Sequence, residues 1–179
     1  MQAIDRVIRS RLQSDVILIR QVAEYIISSG GKRLRPTLTL LAGKTFGYEE
    51  GNLFELAAMI EFIHTATLLH DDVVDESAMR RGHPTANALF GNAASILVGD
   101  FLYTRAFQIM TATHNLAILE VMAEATNVIA EGEVLQLLNI GNIDISEAQY
   151  LKVIEYKTSK LFEAACRVGA LIAGASNDH

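Results

Sequence analysis

The sequence is poor in the residues that interrupt or cross-link a fold. Its 179 residues include one cysteine, two prolines and no tryptophan. The single cysteine, Cys166, excludes a disulfide bond within the chain and suits a reducing compartment, so a cytoplasmic location is predicted. There is no proline-rich linker, sequence repeat or low-complexity tract. We therefore predict a single domain that spans residues 1–179.

Long uninterrupted apolar runs and an excess of positive charge are also missing. The most apolar segment, Ala57–Leu69, contains Glu61 and His64 and is too short to cross a bilayer, so no transmembrane segment is predicted. The chain carries 15 basic and 21 acidic residues, a net charge of -6, which argues against a nucleic-acid partner. A negative total still leaves room for local clusters of positive charge.

Helical periodicity runs through the sequence, and no convincing strand alternation accompanies it. We therefore predict an all-α bundle of long helices with short connections. A capping box, Ser146-Glu147-Ala148-Gln149, marks the start of the last helix. Its predicted inner stripe is Leu151, Ile154, Thr158, Leu161, Ala165, Val168 and Ile172, and we expect Cys166 to be buried beside Ala164 and Ala165. The predicted helices cover about Asp15–Ser28, Pro36–Phe46, Leu53–Glu76, Ala93–Thr111, Leu116–Leu138 and Ser146–Gly174.

Three carboxylates end the apolar third helix, in the segment LLHDDVVDESAMRRGHP. Asp71 and Asp75 are four residues apart and share a helix face, with Asp72 beside them. Close carboxylates favour a bridging cation, and Mg²⁺ suits oxygen ligands that leave room for water and phosphate. The alternative is a helix end that simply trails into solvent. His64 precedes Asp71 by two turns on this face, although a histidine on an apolar helix is more often a core residue.

Cations in three separate segments could bind phosphate. The first group lies in the glycine loop GGKRLRP, the second directly follows the aspartates, and the third is on the last helix. Each group alone is more often a solvated surface patch. Together with the carboxylates they predict one or two diphosphate ligands, because arginine forks and lysine ammonium groups bind phosphate oxygens. The groups are Lys32, Arg33 and Arg35; Arg80 and Arg81; and Lys157, which is followed by Thr158.

In order and spacing, four segments resemble the trans-polyprenyl diphosphate synthases, and most closely the long-chain bacterial members that make quinone side chains. The segments are GGKRLRP, EFIHTATLLHDDVVDESAMRRGHPTAN, GDFLYTRAF and YKTSKLFEAA. The resemblance implies an isoprenoid-synthase-type helical bundle and repeated head-to-tail condensation of isopentenyl diphosphate onto an allylic diphosphate. It also implies a homodimer, and a product that a peripheral enzyme hands to the membrane.

The resemblance assigns roles to individual positions. Asp71 and Asp75 would hold Mg²⁺, with Asp72 in support. The allylic diphosphate would be bound by Arg80, Lys157 and Thr158. The diphosphate of isopentenyl diphosphate would be bound by Lys32, Arg35, His64 and Arg81.

The apolar part of the third helix would line a tunnel for the growing product. Short-chain relatives often carry bulky aromatics four and five residues before the first aspartate, where this sequence has Thr67 and Ala66. These small side chains leave the tunnel open toward Ile63, Phe62 and Met59. From Ala66 back to Leu53 is roughly 20 Å of helix, so a long-chain product is predicted.

One part of the family pattern is missing from the sequence. The family has a second aspartate-rich motif on a later helix, and this chain ends before such a helix could occur. Glu131 and Glu133 straddle Gly132 and are not expected to substitute for it. The C-terminal helices of the bundle are therefore predicted to be absent, apolar helix faces to be exposed, and the chain alone to have little transferase activity. Alternatives are a non-catalytic subunit of a heteromeric synthase, a metal-dependent phosphohydrolase and a terpene cyclase.

Overall fold

The structure, a computed structural model, describes residues 2–49 and 51–176 and is almost entirely helical in these ranges. The predicted domain 1–179 therefore includes residues 1, 50 and 177–179, which lie outside the description. The only strands among the described residues, β1 and β2, pair antiparallel in a short hairpin, Met79–Arg80 with His83–Pro84. The helices are α1 Gln2–Arg11, α2 Ile17–Ser28, α3 Leu34–Thr45, α4 Gly51–Val74, α5 Ala86–Phe90, α6 Asn92–Ala112, α7 Leu116–Leu138, α8 Glu147–Ile154 and α9 Lys160–Ile172.

The all-α prediction is confirmed, and the range Leu116–Leu138 matches α7 at both ends. The prediction missed α1, whose buried Ile4 and Ile8 recur every four residues and pack toward α4. It also missed the five-residue α5 and the hairpin, which are too short to give a periodic signal.

The central helix is α4, which is enclosed by α1, α3, α6 and α9. Every residue from Ala57 to Ile63 is buried, so the helix is covered around its whole circumference. By length and composition α4 could also cross a membrane, but 67% of its most apolar window is buried inside the protein. The core helix of a protein that is not in a membrane can have the same length and composition, so α4 is only weak support for a membrane span.

A π-helical turn, Glu155–Ser159, joins α8 to α9. The predicted capping box at Ser146 and Gln149 is present. The predicted inner stripe is right for α9, where these residues are buried or partly buried: Leu161, Ala165, Val168 and Ile172. It is wrong before α9, where these are exposed: Leu151, Ile154 and Thr158. The π-turn adds a residue to one turn and so rotates the two halves of the stripe apart.

Two predictions about exposure have different outcomes. Cys166 is exposed, so the prediction that it is buried was wrong; it lies on the outer side of α9, opposite Ala165 and Val168. Exposed apolar side chains do occur, as expected, at the end of α7 and in the loop that follows. Leu138 is 74% exposed, Ile140 is 67% exposed and Ile143 is 94% exposed.

Candidate functional site

Four segments meet around the end of α4: the glycine loop before α3, the β1–β2 hairpin, the middle of α7 and the π-turn. Three charged arrangements lie there. They are a buried ion pair, a cluster of two carboxylates with a lysine, and a cavity lined by cations.

The buried ion pair joins Asp72 to Arg80. Arg80 Nε donates to both carboxylate oxygens at 2.9 and 3.0 Å, and Nη2 donates to Oδ1 at 2.7 Å. The Asp72 side chain is 1% exposed. The backbone carbonyl of Asp72 also accepts from the side chain of Asn87 at 3.3 Å. Asp72 therefore anchors the hairpin to α4, and its carboxylate is committed to Arg80.

Asp71 faces another way and belongs to what we call the Asp71 cluster, formed with Glu133 and Lys157. Lys157 Nζ lies 2.6 Å from Glu133 Oε2 and 3.3 Å from Asp71 Oδ2. Burial raises the pKa of Asp71, against the lowering effect of Lys157, and the charge of Asp75 raises it further. Burial likewise raises the pKa of Glu133. The cluster thus holds two partly buried carboxylates around one ammonium group.

Glu133 is a residue of this cluster that sequence reasoning set aside. The neighbouring Gly132 explains how it reaches the site: a Cβ there would lie 2.8 Å from both Lys157 N and Tyr156 Cβ. The missing side chain lets α7 touch the π-turn, which brings Glu133 against Lys157. Glu131 pairs instead with Asn127 at 2.9 Å. A glycine in the middle of a long helix was the signal available in the sequence.

We call the third arrangement the basic cavity, a space of about 520 Å³. Arg35 Nη1 lies 3.3 Å from His64 Nε2, and the Arg35 guanidinium stacks 4.2 Å above the Phe162 ring. Arg35 Nε is buried and has no hydrogen-bond partner. All four residues assigned to the diphosphate of isopentenyl diphosphate line this cavity: Lys32, Arg35, His64 and Arg81.

The glycine loop brings these cations together. Gly30 has φ +84°, a conformation that favours glycine, and its carbonyl oxygen accepts from Arg81 Nη1. A Cβ on Gly31 would lie 3.1 Å from the same Arg81 nitrogen. The loop backbone therefore packs closely against Arg81, which lies in the turn between β1 and β2.

The basic cavity carries a surplus of positive charge around a neutral histidine. Burial is the main cause that lowers the pKa of His64 to about 3, and the charges of four arginines contribute to the same shift: Arg35, Arg81, Arg80 and Arg33. Burial also lowers the pKa of Arg35. An anion that entered here would meet unpaired guanidinium and ammonium donors.

The remaining predicted residues are spread more widely. Asp75 and Thr158 are exposed, and Thr67 is partly exposed, with its hydroxyl donating to the His64 carbonyl oxygen at 2.8 Å. The other predicted tunnel residues are completely buried in the core: Ala66, Ile63, Phe62 and Met59. Their roles in binding stay predictions.

Asp71, together with the exposed Asp75, which lies outside the Asp71 cluster, offers part of a ligand set for a hard divalent cation. Asp71 and Asp75 supply only oxygen donors, and Mg²⁺ commonly binds one or two carboxylates together with waters and a substrate phosphate. Within residues 2–49 and 51–176, no three or more His, Cys, Asp or Glu side chains are grouped so as to hold a metal by themselves. Their chemistry therefore fits Mg²⁺ only as partial ligands, with further coordination positions left for other oxygen donors.

Comparison with known proteins gives consistent matches. The polyprenyl synthetase family matches residues 16–179. The octaprenyl diphosphate synthase of Escherichia coli is 60% identical over 174 residues, which are 97% of this chain and 54% of that protein. The all-trans-nonaprenyl-diphosphate synthase of Rhodobacter capsulatus is 47% identical, over 96% of this chain and 53% of that protein.

A solved structure has the same fold as well as a similar sequence. It is a polyprenyl synthase from Caulobacter crescentus in complex with calcium and isoprenyl diphosphate, with a TM-score of 0.95 and 50% identity. The match covers 98% of this chain and 54% of that one, so the chain spans about half the length of its relatives. With the family matched over nearly all its residues, the chain belongs to the polyprenyl synthetase family.

Proposed function

We propose that this chain is part of a Mg²⁺-dependent prenyltransferase that makes a long all-trans polyprenyl diphosphate, an octaprenyl chain for a quinone. The reaction condenses isopentenyl diphosphate repeatedly onto an allylic diphosphate. The observation that carries the proposal is the pairing, along the apolar helix α4, of a basic cavity with a carboxylate-rich cluster. The identity to octaprenyl diphosphate synthases supports the chain length.

The charges of the site suit this reaction. Asp71 and Asp75 would hold Mg²⁺, which neutralises negative charge on a departing diphosphate when it is bound. Lys157 would exchange its ion pairs with Glu133 and Asp71 for contacts with the allylic diphosphate, and Thr158 would bind the same diphosphate. Arg80 would contribute through its free Nη1, since its Nε and Nη2 are held by Asp72. The basic cavity would hold the second diphosphate, and the apolar residues of α4 would exclude water from a carbocation.

The chain length can be tested at Ala66. This residue is fully buried one turn before Asp71, so a phenylalanine there would project into the space assigned to the product tail. Placed in an active chimera of this chain with the second half of a related enzyme, as described below, Ala66→Phe should shorten the main product by several isoprene units, measured by chromatography of the dephosphorylated products. An unchanged product length would show that the tail does not pass Ala66.

The activity needs a test that allows for the length of this chain. We suggest a chimera in which residues 1–174 replace the matching half of the E. coli enzyme, together with the 179-residue chain alone. With farnesyl and isopentenyl diphosphates and Mg²⁺, the chimera should make a product of about eight isoprene units, and the chain alone should make little. A folded chimera that binds both substrates without forming product would contradict the proposal.

A second candidate is a subunit of a heteromeric synthase. The chain is 33% identical to component 2 of a heptaprenyl diphosphate synthase from Geobacillus stearothermophilus. We favour the catalytic role because Asp71, Asp75, Arg80 and Arg81 are all present. We further propose a cytoplasmic homodimer that passes its product to the membrane surface. Sedimentation of the chimera with and without a candidate partner chain would distinguish the homodimer from the heteromeric synthase, because only the latter would change mass when the partner is added.

A further inference from the structure

A buried ion pair beneath the basic cavity has no role in the proposed chemistry. Arg33 Nη1 donates to Glu61 Oε1, and the two side chains are only 12% and 6% exposed. Arg33 also donates through Nη2 to the Ile27 carbonyl oxygen at 2.9 Å, and its Nε lies 3.8 Å from Asp5. Arg33 is therefore held from three sides, and the buried carboxylate of Glu61 is the closest of its partners.

The position of Arg33 in the chain gives this anchor a wider effect. Arg33 precedes α3 with φ 49°, a left-handed conformation that residues other than glycine seldom adopt. It directly follows Lys32 and lies two residues before Arg35, and both of these cations line the basic cavity. Fixing the Arg33 side chain therefore fixes the backbone turn from which both cations extend.

Glu61 also faces the other cations of the cavity. Burial raises the pKa of Glu61, and the charges of Arg33, Arg35 and Arg81 oppose that rise. Glu61 itself lines the cavity from the side of α4, three residues before His64. It is the acidic residue among those that line the cavity, so it is the shared counter-charge of this group.

We propose that Glu61 is a positioning residue for the second diphosphate, because it anchors Arg33 and so holds the turn that carries Lys32 and Arg35 around the cavity before the ligand binds. This inference rests on the proposed function, which assigns the cavity to a diphosphate. Pre-organisation of this kind strengthens binding, because the loop is ordered before the ligand arrives.

If Glu61 anchors Arg33, removing its charge should change anion affinity in the opposite direction to that expected from electrostatic potential alone. Removing a carboxylate from a cationic cavity should tighten anion binding if electrostatic potential alone mattered. If Glu61 acts as an anchor, Glu61→Gln should instead weaken binding of inorganic pyrophosphate by about ten-fold, the factor that corresponds to one charge-assisted hydrogen bond. Glu61→Asp, which keeps the charge, should restore much of the loss.

The experiment is a titration of the 179-residue chain with inorganic pyrophosphate, followed by phosphorus NMR. The matched control is Glu55→Gln, which removes another glutamate of α4 that pairs with an arginine, Arg11, at 2.9 and 3.0 Å but outside the cavity. Its pyrophosphate affinity should stay at the wild-type value. Arg35→Gln, within the cavity, should reduce binding and so report that the anion is in the cavity.

A further variant keeps the test decisive if Glu61→Gln unfolds the chain. The double variant Arg33→Gln with Glu61→Gln leaves no unpaired buried charge but removes the anchor. It should bind pyrophosphate as weakly as Glu61→Gln. Wild-type affinity in the double variant, or tighter binding in Glu61→Gln, would overturn the positioning role.

The failure of the inference and the failure of the proposed function give different results. If the wild-type chain binds pyrophosphate and Arg35→Gln weakens it, the cavity is a diphosphate site whatever the Glu61 variants do. If Arg35→Gln has no effect, the cavity does not bind diphosphate, and the proposed function loses its second substrate site together with the inference on Glu61.

Discussion

The basic cavity borders the middle of α4, at Glu61 and His64, and the Asp71 cluster lies about two turns further along the helix, yet the two regions carry opposite excesses of charge. In the cavity, Lys32, Arg35 and Arg81 surround a neutral His64, with the buried Glu61 as their counter-charge. In the cluster, two carboxylates surround a single lysine ammonium. The first arrangement suits an anion and the second suits a cation. The proposed reaction, in which one of two diphosphates leaves with the help of a metal, requires both arrangements.

Asp72 and Arg80 differ from both regions because their charges balance each other. They form an ion pair in which Asp72 is buried and Arg80 is 29% exposed, so the charge of Asp72 is balanced without a ligand. Two neighbouring aspartates of one motif therefore have different roles, because Asp71 interacts with Lys157 whereas Asp72 forms its ion pair with Arg80. Substitutions at the two positions should consequently affect different properties of the protein.

The largest effect is expected from loss of the Asp71 carboxylate. Asp71→Asn should lower the turnover of the chimera by about a thousand-fold, because the proposed function assigns this charge to the metal that would stabilise the leaving diphosphate. Pyrophosphate binding in the basic cavity should stay within about two-fold, since the two regions share no partner. Steady-state kinetics and the phosphorus NMR titration measure the two quantities. A parallel loss of both would show that the two regions are one site.

The next effect should be on stability and not on metal binding. Asp72→Asn leaves Arg80 without its buried partner and should lower the free energy of unfolding by about 3 kcal/mol. The matched control is Asp75→Asn, an exposed position in the same motif, with an expected change within about 0.5 kcal/mol. Urea unfolding followed by circular dichroism measures both. Equal stabilities of the two variants would contradict the structural role of Asp72.

The smallest effect concerns the neutral histidine of the basic cavity. The pKa of His64 is about 3 in the fold, below its ordinary 6.5. Between these values the unfolded chain binds a proton that the folded chain does not, so stability is full above pH 6.5 and falls as the pH falls toward 3. His64→Gln removes this dependence.

Urea unfolding at pH 7, 6 and 5 measures the difference. From pH 6 to pH 5 the wild type should lose about 1 kcal/mol more than the variant. Saturating pyrophosphate should reduce that difference, because a bound anion favours protonated His64. Parallel stability curves would show that His64 is not buried in neutral form.

Features that depend on a few neighbouring residues could be predicted from the sequence. The capping box at Ser146 requires only a hydroxyl and a glutamine three residues apart, and the structure contains it. The range Leu116–Leu138 was predicted from helical periodicity alone and matches α7. The grouping of Lys32, Arg35, His64 and Arg81 came from a resemblance between segments; the four residues line one cavity, and their role in binding stays a prediction.

The tertiary structure decided which charged side chains pair with each other. Asp71 and Asp72 are adjacent aspartates, but Asp72 pairs with Arg80 whereas Asp71 pairs with Lys157. The reason is that consecutive residues of a helix point about 100° apart, so the two side chains meet different neighbours. Glu133 joins Lys157 across 24 positions of sequence only because Gly132 lets two backbones touch. Local patterns thus determined the helices, the caps and the family motifs, whereas long-range packing selected the ion pairs, since the strength of an ion pair depends on burial and distance that no local pattern specifies.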